Sequence, residues 1–129
     1  MPRAEDCLFT RDHEWLHIED GKARLGITDF AQGELGDIVY VDLGEAGRSV
    51  AKGEELGTIE SVKAVAEVYA PVAGKVAAIN EMLADAPEKV NEDPFGDGWL
   101  AEVEVADPSA LEGLMDFEAY RKFLEEEDH

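Results

Sequence analysis

Glycine recurs through the first three quarters of the chain, at positions 21, 26, 33, 36, 44, 47, 53, 57 and 74, and Pro71 and Pro87 add further breaks. Long helices do not survive that punctuation, since an interior glycine costs about 1 kcal/mol relative to alanine and proline costs more. The runs left between the breaks are short and rich in valine and isoleucine, which suit a pleated, half-buried surface. HEWLHI and KARLGI flank Glu19-Asp20-Gly21, an Asp-Gly hairpin signal. DIVYVDL (37–43) alternates and is β-branched, and EELGTIES, AEVYAPV, GKVAAI and WLAEVEV continue the series. The expected fold is mainly β, a sandwich or flattened barrel of short strands with an N-terminal hairpin.

Helical signals are few. Thr28 and Asp29 are cap residues for a single turn over 30–35 closed by Gly36, and Asn80 caps another over 81–83. At Asp107-Pro108 an N-cap followed by proline opens a helix with Leu111, Leu114 and Met115 on one face. Asp116 caps a second segment whose Phe117, Tyr120, Phe123 and Leu124 form a stripe suited to anchoring it on the sheet. The closing Glu125–Asp128 run is expected as a solvated, frayed tail. A weak internal echo pairs Gly36-Asp37-Ile38-Val39 with Gly74-Lys75-Val76-Ala77, and 50–59 with 90–103, which suggests approximate two-fold symmetry.

With 129 residues the chain is expected to form one domain, a strand core over about 26–105 followed by a helical segment over 107–126. Its 31 acids against 11 bases leave a formal net charge of −20. Such a surface repels nucleic-acid phosphates and anionic lipid headgroups and favours partners with basic faces. Cys7 is the lone cysteine, so neither an internal disulfide nor a thiolate cluster can form, and His13, His17 and His129 are too scattered for a metal site. The N-terminal MPRAEDCLFTRDHEW lacks the apolar core of a secretory signal, and no apolar run reaches membrane-spanning length, so a cytoplasmic protein is expected.

Against this acidity one base stands out: Lys63 is the only basic residue between Lys52 and Lys75. Ile59, Val62, Val65 and Val68 recur at a helix-like spacing, and Lys63 with Glu67 would make an i,i+4 pair. The β-branched composition and the bounding Gly57 and Pro71 favour strands instead, with GTIES and AEVYA as the arms of a hairpin and Lys63 at its tip. The tip lacks Asn-Gly or Asp-Gly chemistry. An ordinary surface lysine and a lysine kept for its side chain both fit. Glu60 and Glu67 hold an ammonium charged, which disfavours amine catalysis and leaves covalent acylation as the better use.

GTIESVKAVAEVYAPVAGKV resembles the attachment segment of the H proteins of the glycine cleavage system, in which Glu-Ser-Val-Lys-Ala surrounds a lipoylated lysine. HEW (13–15), GITDFAQGELGDIVYVDL (26–43), VNEDPFGDGWL (90–100) and FEAYRKFLEEE (117–127) resemble further blocks of that family in its order. A biotin domain, with its lysine between two methionines, is less similar, since Val62 and Ala64 flank Lys63; 2-oxoacid dehydrogenase lipoyl domains lack the HEW block and the C-terminal helix. Ala66, Gly44 and Ala78 depart from the family's usual serine, proline and glutamate.

The resemblance implies a barrel-sandwich hybrid of lipoyl-domain type, with lipoate joined to Lys63 by an amide. It implies a non-catalytic, monomeric carrier that shuttles the aminomethyl group of glycine between a pyridoxal-phosphate decarboxylase, a tetrahydrofolate-dependent aminomethyltransferase and dihydrolipoyl dehydrogenase, and that is charged by a lipoylating enzyme. It also places Glu14, and more weakly Glu67, beside the loaded arm; the alternative for Glu14 is a solvated strand residue, and for Glu67 a hairpin-arm carboxylate adjacent to Lys63. An H-like carrier serving lipoate relay or sulfur metabolism would use the same attachment site.

Overall fold

The Asp-Gly hairpin forms as its chemistry requires. β2 (Glu14–Glu19) and β3 (Lys22–Ile27) pair antiparallel with Glu19 opposite Lys22. Asp20 and Gly21 turn the chain at φ of +52° and +78°, the two left-handed residues that a type I′ turn needs. The computed structural model describes residues 4–127, so Asp128 and His129 at the end of the acidic tail lie outside the described residues.

Two antiparallel sheets result. The larger runs in the order β1 (Leu8–Phe9), β2, β3, β9 (Ala101–Val105), β8 (Gly74–Ile79), β5 (Ser49–Val50). The smaller runs β4 (Ile38–Asp42), β6 (Glu55–Ser61), β7 (Val65–Tyr69). Their residues meet in one apolar cluster, with Leu16, Leu25, Val76 and Val103 from the larger sheet and Ile38, Val41, Ile59 and Val68 from the smaller. Each such side chain contributes about 1.5–3 kcal/mol of burial, and this cluster fixes which face of each strand points inward. Gly26 lies directly opposite Trp15, whose fully buried ring occupies the space that any side chain at 26 would need. Trp15 Nε1 donates to the Pro94 carbonyl at 3.0 Å.

α1 (Asp29–Leu35) begins at Thr28, whose Oγ1 accepts from Ala31 N at 3.2 Å, and ends at Gly36 with φ +81°. It covers the expected 30–35 and begins one residue earlier. α2 (Met82–Asp85) follows Asn80, whose Oδ1 accepts from Met82 N at 3.3 Å, and α3 (Lys89–Glu92) is a further turn that no periodicity announced. Val90 lies in α3, so the echo between 50–59 and 90–103 holds only where the two segments run into β6 and β9, whereas Ile38 and Val76 both lie in strands as the first echo suggests.

Asp107 does cap a helix, accepting from Ser109 N at 3.0 Å, but Pro108–Gly113 is a 3-10 segment and not an α-helix. The chain must extend again by Met115, which exchanges two backbone bonds with Phe9 (2.7 and 2.9 Å) at the edge of β1. α4 (Phe117–Glu127) then starts under Asp116, whose Oδ1 accepts from Ala119 N at 2.9 Å. Phe117, Tyr120, Phe123 and Leu124 pack with Phe9 and Trp15 in a second cluster. The Tyr120 ring stacks on Phe9 with centroids 4.5 Å apart. Glu125 and Glu126 continue this helix, so the acidic run is helical as far as Glu127.

One side chain buckles three of these elements. Asn91 Oδ1 accepts from Ile38 N (2.9 Å), and its Nδ2 donates to the Gly36 carbonyl and to Gln32 Oε1 (both 2.9 Å). Asn91→Ala leaves those groups without their partner and is expected to lower stability by about 1–3 kcal/mol, read as the denaturant midpoint at unchanged m-value.

Candidate functional site

The chain from 59 to 68 is a hairpin and not a helix: Glu60 faces Val65, Ile59 faces Ala66 and Thr58 faces Glu67. Ser61 N donates to the Ala64 carbonyl at 2.8 Å, leaving Val62 and Lys63 as the two tip residues. Neither has positive φ, which is why Asn-Gly chemistry is dispensable here. Ser61 replaces it. Its buried Oγ accepts from Ala64 N (3.0 Å) and Lys63 N (3.3 Å) and donates to the Ala64 carbonyl (3.2 Å). Val62 N donates to the Asp37 carbonyl at 3.0 Å, which pins the tip to the start of β4.

Lys63 is exposed, and its stem lies over Gly36: a Cβ added there would meet Lys63 Cε at 3.4 Å. The i,i+4 pair with Glu67 that a helix would have made does not form, and among the described residues no carboxylate lies within salt-bridge distance of Lys63. The reason is the hairpin: positions 63 and 67 lie on the tip and on an arm, not on one helix face. Large apolar side chains cluster around the lysine, with Val62 at 69%, Val65 at 61% and Tyr40 at 53% exposure. Tyr40, Glu60 and Val65 form one cross-strand row. A bulge between Ile38 and Tyr40 interrupts the alternation expected of DIVYVDL and leaves both Val39 and Tyr40 exposed.

Down β7 from the tip, a cleft of about 170 Å³ opens between Glu14, α1 and the hairpin arms. Phe30, Ala31 and Leu35 of α1 wall one side, and Ala66, Glu67 and Val68 wall the other. At a strand rise of roughly 3.3 Å per residue, these last three lie about 10–17 Å from Lys63 along the chain. A second cleft, of about 370 Å³, shares Glu14 and is lined by Lys52, Tyr69, Leu114 and Met115. A groove of about 480 Å³ lies among Asp6 and the charged residues of the β2–β3 hairpin with Glu102, and none of its lining residues belongs to the lysine hairpin.

Glu14 is not a solvated strand residue: it is 5% exposed. Its Oε2 accepts from Tyr69 N on the free edge of β7 at 3.0 Å, and its Oε1 accepts from Thr10 Oγ1 at 3.3 Å. Burial pushes its carboxyl up to about 7; Asp12 adds to the rise, while the bonds from Tyr69 and Thr10 oppose it. Glu67 is exposed on the cleft rim. Cys7 is buried, and desolvation with Asp6 and Glu5 nearby pushes its thiol up to about 12, so it is no nucleophile at neutral pH. Trp15 is core, whereas Trp99 is half-buried under the Arg24 guanidinium, 4.5 Å from its ring centroid.

The sequence profile of the glycine cleavage H-protein matches residues 7–127. The chain belongs to that family. It is 51% identical over 128 residues to the glycine cleavage system H protein of Anaeromyxobacter sp. (strain K), covering 99% of this chain and 100% of that one. It is 53% identical over 119 residues to that of Thermotoga maritima, covering 92% and 96%. A crystal structure of a glycine cleavage system H protein from Mycobacterium marinum superposes with a TM-score of 0.84 at 34% identity, covering 100% of both chains. As an H-protein family member the chain has a mainly β, lipoyl-domain-like barrel-sandwich with a C-terminal helix. Of the departures from the family pattern, Ala66 falls on the cleft wall and Ala78 on β8 in the other sheet. Gly44 sits at φ +71°, which proline cannot adopt.

Residues that no sequence signal singled out complete the site: Ser61 in the turn, Asn91 behind Gly36, and Thr10 beside Glu14. Two outcomes test this geometry. Ser61→Ala is expected to cost about 1 kcal/mol and to speed amide exchange at Ala64, measured by NMR. Glu14 has a folded pKa above its unfolded one, so its favourable contribution is full below about 4.5 and lost as pH rises through about 7. Glu14→Gln should therefore gain stability relative to the wild type between pH 5 and pH 8, read from denaturant midpoints at each pH.

Proposed function

We propose that Lys63 is the attachment point for lipoate and that the protein is the lipoyl carrier of the glycine cleavage system, making no bond itself. The observation that supports this reading is the exposed lysine at a hairpin tip held by Ser61, inside the Glu-Ser-Val-Lys-Ala segment of an H-protein family member. The residues present suit such a group. Acylation removes a charge, and among the described residues it would disrupt no ion pair; the stem already rests on Gly36. When attached, lipoate supplies an exchangeable disulfide that can take up the aminomethyl group as glycine is decarboxylated.

The chain's own residues do the rest. The Ser61 turn and the Val62–Asp37 bond hold the anchor in place while the arm is free to swing. Exposed Tyr40, Val62 and Val65, with Asp42, Glu60 and Glu67 nearby on the same strands, offer an apolar centre edged by carboxylates. That suits partner active-site mouths with apolar lips and basic surroundings. The partners in this reading are the decarboxylase, the aminomethyltransferase, dihydrolipoyl dehydrogenase and the lipoylating enzyme. The small cleft would shelter the loaded arm, with Phe30, Ala31 and Leu35 of α1 on one side and Glu34 of the same helix among them. The Glu14 carboxylate, protonated or ionised at nearly equal cost near neutral pH, would face the ammonium, and Glu67 would stand at the rim.

Protein produced in cells supplied with lipoate is expected to carry one lipoyl group by intact-mass measurement, and Lys63→Arg none. A wild type without the added mass, or a variant that gains it equally, overturns the attachment claim. Reconstitution with the three partner enzymes should then support glycine decarboxylation. Lipoylated protein that fails there would favour the H-like carrier role.

A further inference from the structure

A residue outside the cleft holds two of the segments that line it, the start of α1 and the strand entry at His13. Tyr120, on α4, is 3% exposed, and its hydroxyl lies 2.8 Å from Thr28 Oγ1 and 2.9 Å from His13 Nδ1. Thr28 is the N-cap of α1, whose Phe30, Ala31 and Leu35 wall the cleft. His13 directly precedes Glu14 and is held at φ +64°, a conformation that few non-glycine residues adopt. The two partners are also joined to each other: Thr28 N donates to the His13 carbonyl at 3.0 Å. The His13 ring lies 4.6 Å from that of Phe30. Packing against Phe9 asks only for an aromatic ring at 120, and a buried hydroxyl is costly unless bonded. The hydroxyl is placed where α1 and the Glu14 strand converge.

We propose that Tyr120 is a positioning residue for the cleft: through Thr28 and His13 its hydroxyl sets how closely α1 approaches Glu14, and so how well the cleft shelters what enters it. This rests on the reading that the loaded arm uses this cleft. The C-terminal helix is then part of the shelter although it does not line it.

Tyr120→Phe keeps the ring and removes the bonds. In unlipoylated protein, amide exchange at Ala31, the residue capped by Thr28, should rise about fivefold, the effect of one lost buried hydrogen bond. In protein whose arm carries the aminomethyl group, release of formaldehyde and ammonia by water should speed by a similar factor, with Lys63 lipoylation as in wild type. Thr28→Val removes the same bond from its other end, so the double variant should add little to the larger single effect, and Thr28→Ser should behave as wild type. Glu14→Gln serves as the reference for the shelter itself. If it speeds release and Tyr120→Phe does not, Tyr120 is only structural and the inference is overturned, even if exchange at Ala31 rises. If neither variant changes release, the arm is not sheltered there, and the inference falls with the reading beneath it.

Discussion

β6 lies between β4 and β7, so its backbone groups are engaged on both sides, and its Ile59 is anchored in the core opposite the larger sheet. That double pairing is the constraint from which the site follows. It forces the chain to reverse directly after Ser61, and the hydroxyl there becomes the hub of the turn. It sets the cross-strand rows, so Tyr40, Glu60 and Val65 stand beside the tip. It also leaves β7 with one free edge, where the Tyr69 amide would be unpaired without Glu14.

The two acid–base groups of greatest interest sit in opposite environments. Lys63 is exposed, and among the described residues it has no carboxylate partner, so acylation there would be opposed by little beyond the loss of hydration. Glu14 is buried, and its ionisation is opposed by desolvation and assisted only by hydrogen bonds from Tyr69 and Thr10. A cation arriving in the cleft would favour its ionised form and displace its proton. The many surface acids act at longer range, favouring basic partners without specifying geometry.

Local chemistry made much of this legible from the residues. Asp20-Gly21, Thr28 with Gly36, and Asp116 act within a few positions of themselves, and each forms the turn or cap expected. The position of Lys63 at a tip followed from β-branched flanks and the bounding Gly57 and Pro71, while the attachment role proposed for it came from family likeness. What stayed hidden depends on distant partners. Nothing near Asn91 reveals that it will bond Ile38 and Gly36, and nothing near Tyr120 points to His13 or Thr28. The Val39 bulge and the two-residue strands β1 and β5 are too short to leave a periodic trace. Pro108–Gly113 misleads for a related reason: its cap and proline are sound helix signals, but pairing of Met115 with Phe9 cuts the helix short.

The Ser61 turn has a mechanical consequence. Because it relies on a side chain and not on glycine, its two tip residues keep ordinary backbone restraints, and the stalk beneath the lysine resists bending. A flexible tether on a rigid post sweeps a cap of space whose radius is the tether's own length, and no further. Within that cap the effective concentration of whatever the tether carries is high, and beyond it falls to nothing. With lipoate on Lys63 as proposed, each enzyme that uses the arm must bring its catalytic centre to the post, and the division of labour along such a sequence becomes a matter of successive dockings on a single small face.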